Sequence, residues 1–214
     1  MSNIYIVFTK TNTKLGWIIR KFTKYKYNHV FITQSLRLPG YSFGRKHYKL
    51  PFVGGLVEED LNRILYPKKE AKIKIYRIPL NKEQEKCYEE FIDKIKSQKN
   101  RFIYNNLTVI NLKAGKNIDV YNAHTCVSFV LDILMRLNIQ LTSCVKAGEI
   151  NSISPEKLDV LLNKYECKIL IINKNSSLFN SASPSNYLKK FTILQKIKLN
   201  LGYIHLLFKR IKLS

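Results

Sequence analysis

Carboxylates are scarce in this chain and absent from both of its ends. Its 214 residues carry 37 Lys and Arg against 15 Asp and Glu, a formal charge of +22. No Asp or Glu occurs before Glu58, and none follows Glu166. A site built in the segment before Glu58 therefore has no carboxylate of its own. So positive a chain calls for an anionic partner: a lipid surface, a nucleic acid or an anionic polymer.

Other absences narrow the class. The four cysteines, Cys87, Cys126, Cys144 and Cys167, form no CxxC pair, so neither a zinc site nor a dithiol redox centre is expected, and no metal or cofactor is called for. No apolar run approaches the ~20 residues that cross a bilayer. The opening MSNIYIVFTKTNTK has too short an apolar run for a signal peptide and lacks a small-residue cleavage site. The expected setting is the reducing cytoplasm, peripheral to a membrane if the tail docks there, with thiols free. No internal repeat is present. A hydrophobic content of 45% and an aromatic content of 12% are globular values, and the length suits one core with an appended tail.

The apolar periodicity alternates between strand and helix. Asn3 to Phe8 reads as a strand, then a helix carries Leu15, Ile18, Ile19 and Phe22, with Thr11 or Thr13 as cap. Lys14, Arg20, Lys21, Lys24 and Lys26 around that helix read as a solvated face. A strand over residues 28–33 begins with His29, and a turn at Pro39-Gly40 leads to its hairpin partner at Tyr41 to Gly44. Phe52 to Glu58 is strand-like, and Gly54-Gly55 within it signals a bulge or a close approach of backbone to something else. Ile73 to Ile78 is a further strand. Asn81 and Gln84 then make a capping box for a helix with Tyr88, Phe91, Ile92 and Ile95 inward. The segment from His124 to Leu134 is apolar nearly all round, the pattern of a buried helix. Ser154-Pro155 starts another helix, and Cys167 to Ile172 reads as a final buried strand.

The expected domain spans residues 1–173, followed by a Ser/Asn-rich linker at 174–186 and a basic amphipathic helix at 187–214. In that tail Leu188, Phe191, Leu194, Ile197, Leu201, Ile204, Phe208 and Ile211 recur every three or four residues. Lys189, Lys190, Lys196, Lys198, Lys209, Arg210 and Lys212 lie mostly between them, and Gly202 weakens the helix once. Such a helix lies on an anionic membrane, or packs on its own domain or on a second copy. Lys189, Lys190, Lys196 and Lys198 are the candidate surface-binding residues.

Chemistry centres on Cys126. It falls in the first turn of the buried helix, with Thr125 or Asn122 as cap, where unpaired N–H groups and the positive end of the dipole favour a sulfur anion. The same N–H groups suit an oxyanion. A lone cysteine in an apolar helix is more often a packing residue, so it needs a base. His29 is one candidate. His124, two residues from Cys126, points in a different direction on a helical or pre-helical backbone; His47 and His205 lie in a basic loop and in the tail.

The order of these segments resembles a known family. Tyr27-Asn28-His29-Val30, Tyr41 to Lys46 (YSFGRK), Pro51 to Glu58 (PFVGGLVE), Thr125 to Val130 (TCVSFV) and Ile153 to Leu158 (ISPEKL) look like the permuted branch of the NlpC-like cysteine hydrolases. That branch includes the YiiX-like proteins and is similar in fold to lecithin:retinol acyltransferase. The resemblance covers residues 3–173 and implies an α+β, circularly permuted papain-like fold, with an antiparallel sheet packed on a buried Cys-bearing helix. It implies Cys126 as nucleophile and backbone oxyanion donor, His29 as base, and a third polar residue that orients the imidazole. Ser42 aligns best with that third position. A backbone carbonyl, or Glu58 if the glycine pair bends its strand inward, are the other choices, although Glu58-Glu59-Asp60 reads as a solvated acidic run. Tyr27 is a candidate binding residue beside the base.

Three functional classes follow. The leading one is a cysteine hydrolase or acyltransferase that acts on amide or ester bonds of a peptide or lipid-linked acyl substrate through a thioester. The second is a non-catalytic module of the same fold that binds lipid or an anionic surface. The third, a non-specific nucleic-acid binder, is permitted by charge, but the chain has no recognised nucleic-acid motif and its basic residues are scattered.

Overall fold

The computed structural model describes residues 2–11, 13–110, 120–180 and 186–211. Strand β1 (Ser2–Thr9) leads to helix α1 (Lys14–Thr23), followed by β2 (His29–Thr33), β3 (Gly40–Arg45) and β4 (Gly54–Glu59). Helix α2 (Leu61–Leu65), β5 (Glu70–Leu80) and α3 (Lys82–Ser97) come next. The short β6 (Ile103–Tyr104), α4 (Asn106–Ile110) and β7 (Ala123–His124) precede α5 (Cys126–Arg136). The chain closes with α6 (Pro155–Leu161), β8 (Glu166–Asn173) and α7 (Ile193–Lys209).

Six strands form one antiparallel sheet in the order β4-β3-β2-β1-β5-β8, and β6 and β7 pair in parallel as a small second sheet. The fold is therefore α+β, as expected. Alternation along the strands divides the apolar residues between two faces. Ile4, Ile6 and Phe8 of β1, with Val30 and Ile32 of β2, join the main core under α3, α5 and α6. Val7 and Phe31 turn the other way, into a smaller cluster with Leu61, Ile64 and Leu65 of α2. Helix α5 contacts β2 and β3, so its first turn is set against the strand that begins with His29.

Local signals place the helix starts. Thr13 is the cap of α1, its side chain accepting from the Gly16 N–H. The side chains of Leu15, Ile18 and Phe22, expected on the inner face of α1, lie outside the described residues, whereas Ile19 is buried. Asn81 and Gln84 make the capping box of α3, and Ser154 with Pro155 opens α6. The glycine pair marks a close approach of backbone: a Cβ on Gly54 would meet Tyr104 Cβ at 2.6 Å, and one on Gly55 would meet the Phe102 carbonyl at 3.1 Å.

Three readings of the sequence change. Cys167 to Ile172 does form a strand, but β8 is the outer strand of the sheet and only Ile172 of it is buried. A run rich in β-branched residues specifies a strand, not its cover, and here Ile169 and Ile171 stay exposed on a strand whose main contacts among the described residues are with β5. The linker region carries Phe179, fully buried against Phe31 with ring centroids 5.2 Å apart. Its carbonyl accepts from the Leu61 N–H, and its own N–H donates to Leu36. Residues 181–185 of that linker, and Lys212 of the tail, lie outside the described residues. The tail helix is shorter than 187–214. It starts at a Thr192–Gln195 capping box and is held to the domain by Tyr203 and Leu207, which pack with Ile103, Val120 and Ala123.

Candidate active site

Cys126 is the first residue of α5, and the cap is Thr125 rather than Asn122. Thr125 Oγ1 accepts from the Ser128 N–H at 3.0 Å, and Ser128 Oγ accepts from the Thr125 N–H at 2.8 Å. This box satisfies two donors and leaves the N–H groups of Cys126 and Val127 without an intrahelical partner, because the first turn of any helix lacks carbonyls behind it. Cys126 is 4% exposed and lines a crevice together with Ile19, Asn28, Tyr104 and Ile153.

His29 opens β2, in register opposite Thr9 of β1. Its imidazole has two neighbours. Nε2 bonds Glu59 Oε1 at 2.9 Å, and the Cys126 side chain lies close enough to favour the charged ring. Since Glu59 occupies Nε2, Nδ1 is the ring nitrogen free to exchange a proton on the side away from the carboxylate. Gly44 keeps space open around the pair: a Cβ there would stand 3.5 Å from His29 Cε1 and 3.7 Å from Glu59 Oε1.

Glu59 is held in turn by Arg63, one helical turn further along. The guanidinium donates from Nε to Oε2 at 3.2 Å and from Nη2 to Oε1 at 3.3 Å, and Nη2 also donates to the Arg45 carbonyl at 3.0 Å. Asp60 caps α2 by accepting from the Arg63 N–H at 2.8 Å, which fixes the helix that carries this arginine. The guanidinium lies over the Tyr187 ring, 4.2 Å from its centroid.

Electrostatics follow from that packing. Burial opposes charge on His29, yet the adjacent Glu59 carboxylate and then the neighbouring Cys126 outweigh it and lift the imidazole to about 10. Burial likewise opposes charge on Glu59, but Arg63 and then His29 overcome it and hold the carboxylate near 2. Both groups are charged at neutral pH, the state in which neither is left alone in a poorly solvated site. Tyr104 lines the crevices on the His29 side and on the Cys126 side. Burial, and after it the nearby Cys126, push its phenol well above the ordinary value.

Among the predicted site residues, Cys126 and His29 are thus brought together. Ser42 is not the orienter: fully buried, it donates to the Val30 carbonyl at 2.7 Å, while the imidazole nitrogen it was to hold is taken by Glu59. Glu58 is exposed and turns away. Tyr27 is a core residue, packed against Phe8 and Tyr25, and it lines neither of the two crevices. His124 stacks among Phe43, Phe102 and Phe129, where burial lowers its pKa. His47 binds the Asn186 carbonyl at 2.8 Å on the surface. Lys189, Lys190 and Lys198 are exposed and Lys196 half-buried, and none of the four lines either crevice.

Glu59, Arg63 and Tyr104 are the residues that sequence reasoning missed. A signal for Glu59 was present in the period of two: Val57 and Glu59 fall on one face of β4 and Glu58 on the other. Arg63 then stands four residues on, at ion-pair spacing. Among the described residues no group of three or more His, Cys, Asp or Glu is placed to hold a metal ion, and no helix is long and apolar enough to cross a membrane. No family model, curated protein or solved structure matches the chain, which leaves the geometry of these residues as the basis for its chemistry.

Proposed function

We propose that the chain is a cysteine-dependent hydrolase or acyltransferase of amide or ester bonds, on a circularly permuted papain-like scaffold. The observation that carries this reading is the line Cys126–His29–Glu59–Arg63. A thiol at a helix start faces an imidazole whose far nitrogen is fixed by a buried carboxylate, itself braced by a guanidinium. With the thiol ionised and the imidazole protonated, charges along the line alternate in sign and sum to zero. The order of elements supports the permuted scaffold, because the strand bearing the base precedes the helix bearing the nucleophile.

In this reading the Cys126 thiolate attacks a carbonyl carbon, and the C=O electron pair moves onto oxygen. The N–H groups at the start of α5 and the Tyr104 hydroxyl are the donors available to that oxyanion. Collapse expels an amine or alcohol, which takes the Nδ1 proton of His29, and a thioester remains on Sγ. His29, now neutral, takes a proton from water or from an acceptor alcohol or amine, which displaces the thiolate. Glu59 keeps the ring oriented and offsets its charge, as the acid of a catalytic triad does. The acceptor alone separates hydrolase from acyltransferase.

The alternative of a non-catalytic binding module drew on the missing carboxylate, and Glu59 removes that argument while the basic charge remains. Intact-protein mass spectrometry after mixing with p-nitrophenyl acyl esters tests the proposal. An acyl adduct on Cys126 that turns over, and is lost in Cys126→Ala, supports it. No adduct across acyl chain lengths, or one unchanged in Cys126→Ala, overturns it.

A further inference from the structure

Helix α7 has two apolar faces, and the domain uses only one. Tyr203 and Leu207 point inward, where Tyr203 Oη accepts from the Tyr104 N–H at 2.6 Å and donates to the Gly54 carbonyl. Asn200, on the same side, accepts from the Phe52 N–H at 3.2 Å. The next face is left uncovered by the described residues. Ile193 is 74% exposed, Leu194 79%, Ile197 52%, Leu201 61% and Phe208 60%. At 3.6 residues per turn these five fall within an arc of about 100°. A one-sided apolar stripe on a helix normally marks the side that meets the core; here the core holds the adjoining side, that of Tyr203 and Leu207.

The surroundings of the stripe are basic. Lys198 and Lys209 border it, Lys189 and Lys190 lead into the helix, and no Asp or Glu occurs after Glu166. A second copy docked through the same stripe would set these cations against one another, and a twofold interface pairs a patch with itself. An anionic bilayer instead takes the apolar side chains below its headgroups and the cations among them, where the anionic lipids attract each lysine.

We infer that α7 is an interfacial helix that docks the protein on anionic lipid bilayers through Ile193, Leu194, Ile197, Leu201 and Phe208. The anchor is coupled to the site, since Tyr203 holds the backbone of Tyr104, a residue lining both crevices beside Cys126 and His29. Resting on the enzyme reading above, this placement makes a lipid-linked acyl group the substrate class, taken from the surface on which α7 lies.

The test is flotation of the full chain with phosphatidylglycerol–phosphatidylcholine vesicles and with pure phosphatidylcholine vesicles. It uses Cys126→Ala protein, so that binding is read without turnover, and the variant Ile197→Glu/Leu201→Glu, whose positions are exposed and leave the core untouched. Binding to the anionic vesicles only, weakened at least tenfold by the double substitution and by 0.5 M salt, is the expected result. Equal binding to both vesicle types, or binding unaffected by the double substitution, overturns the inference. So does a dimer without lipid that the double substitution dissociates, since the face then belongs to a second copy. Vesicle binding by a protein that forms no acyl adduct leaves this inference standing and removes only the enzyme reading.

Discussion

His29 Nε2 stands 2.9 Å from Glu59 Oε1, and both side chains are almost sealed from solvent, at 11% and 4% exposure. Thirty residues apart in sequence, they make the only contact of His29 with a carboxylate among the described residues. Among the described residues the carboxylate is also the one that forms an ion pair with the buried guanidinium of Arg63.

Glu59→Gln keeps the shape and removes the charge. Arg63 then loses its ion-pair partner, and breaking a buried pair in this way costs about 3 kcal/mol. Urea unfolding should show that loss, and the NMR titration of the His29 imidazole should move down from its raised value. An unchanged imidazole titration would mean that Glu59 does not set the charge of His29.

The pH dependence of stability has a defined sign. His29 is raised from 6.5 to about 10, so its contribution is complete below 6.5 and is lost as pH rises through about 10. Glu59 is lowered from 4.5 to about 2, so its contribution is complete above 4.5 and is lost as pH falls through about 2. The stability difference between wild type and Glu59→Gln is therefore largest between 4.5 and 6.5 and shrinks on either side. Chemical denaturation at several pH values checks this; a difference that does not vary with pH contradicts it.

Two glycines of the sheet should respond differently to one methyl group. Gly54→Ala forces a carbon to 2.6 Å from Tyr104 Cβ and 2.8 Å from the Gly44 carbonyl, an overpacking that costs roughly 1–3 kcal/mol. Gly44→Ala meets nothing closer than 3.5 Å and should be tolerated within about 1 kcal/mol. Thermal melts of the two variants, side by side, give the comparison.

Tyr203→Phe removes the hydroxyl that links α7 to β6 and β4. It leaves the Tyr104 N–H and the Gly54 carbonyl without that partner inside the protein, at a cost of about 1–3 kcal/mol. Hydrogen exchange should speed up in α7 and β6 and stay unchanged in β1 and β5.

How far the sequence reaches can be read from particular residues. Local chemistry was legible: Thr13, Asn81, Thr125 and Ser154 are caps because their short side chains reach the orphan N–H groups of the first turn. The pairing of β2 with β3 follows from the turn at Pro39-Gly40. What the sequence left hidden depends on non-local packing. Glu58, Glu59 and Asp60 look alike in one dimension, and only the sheet puts Glu58 outside while Glu59 meets His29 and Asp60 caps α2. Ser42 failed as orienter because its hydroxyl found a carbonyl on the adjacent strand. Phe179 in a Ser/Asn-rich stretch carried no sign that a pocket waited for it beside Phe31. The tail helix was legible as amphipathic, but not that its inward side would be Tyr203 and Leu207 rather than its longest apolar stripe.

The central claim is that His29 activates Cys126. Iodoacetamide labelling of the folded protein at pH 7, resolved by peptide mass spectrometry for all four cysteines, tests it in wild type and in His29→Ala. The account predicts that Cys126, though buried, labels faster than the exposed Cys144 and Cys167, and that His29→Ala slows Cys126 at least tenfold while leaving the other two unchanged. Cys126 labelling no faster than Cys144, or at the same rate without His29, would contradict it.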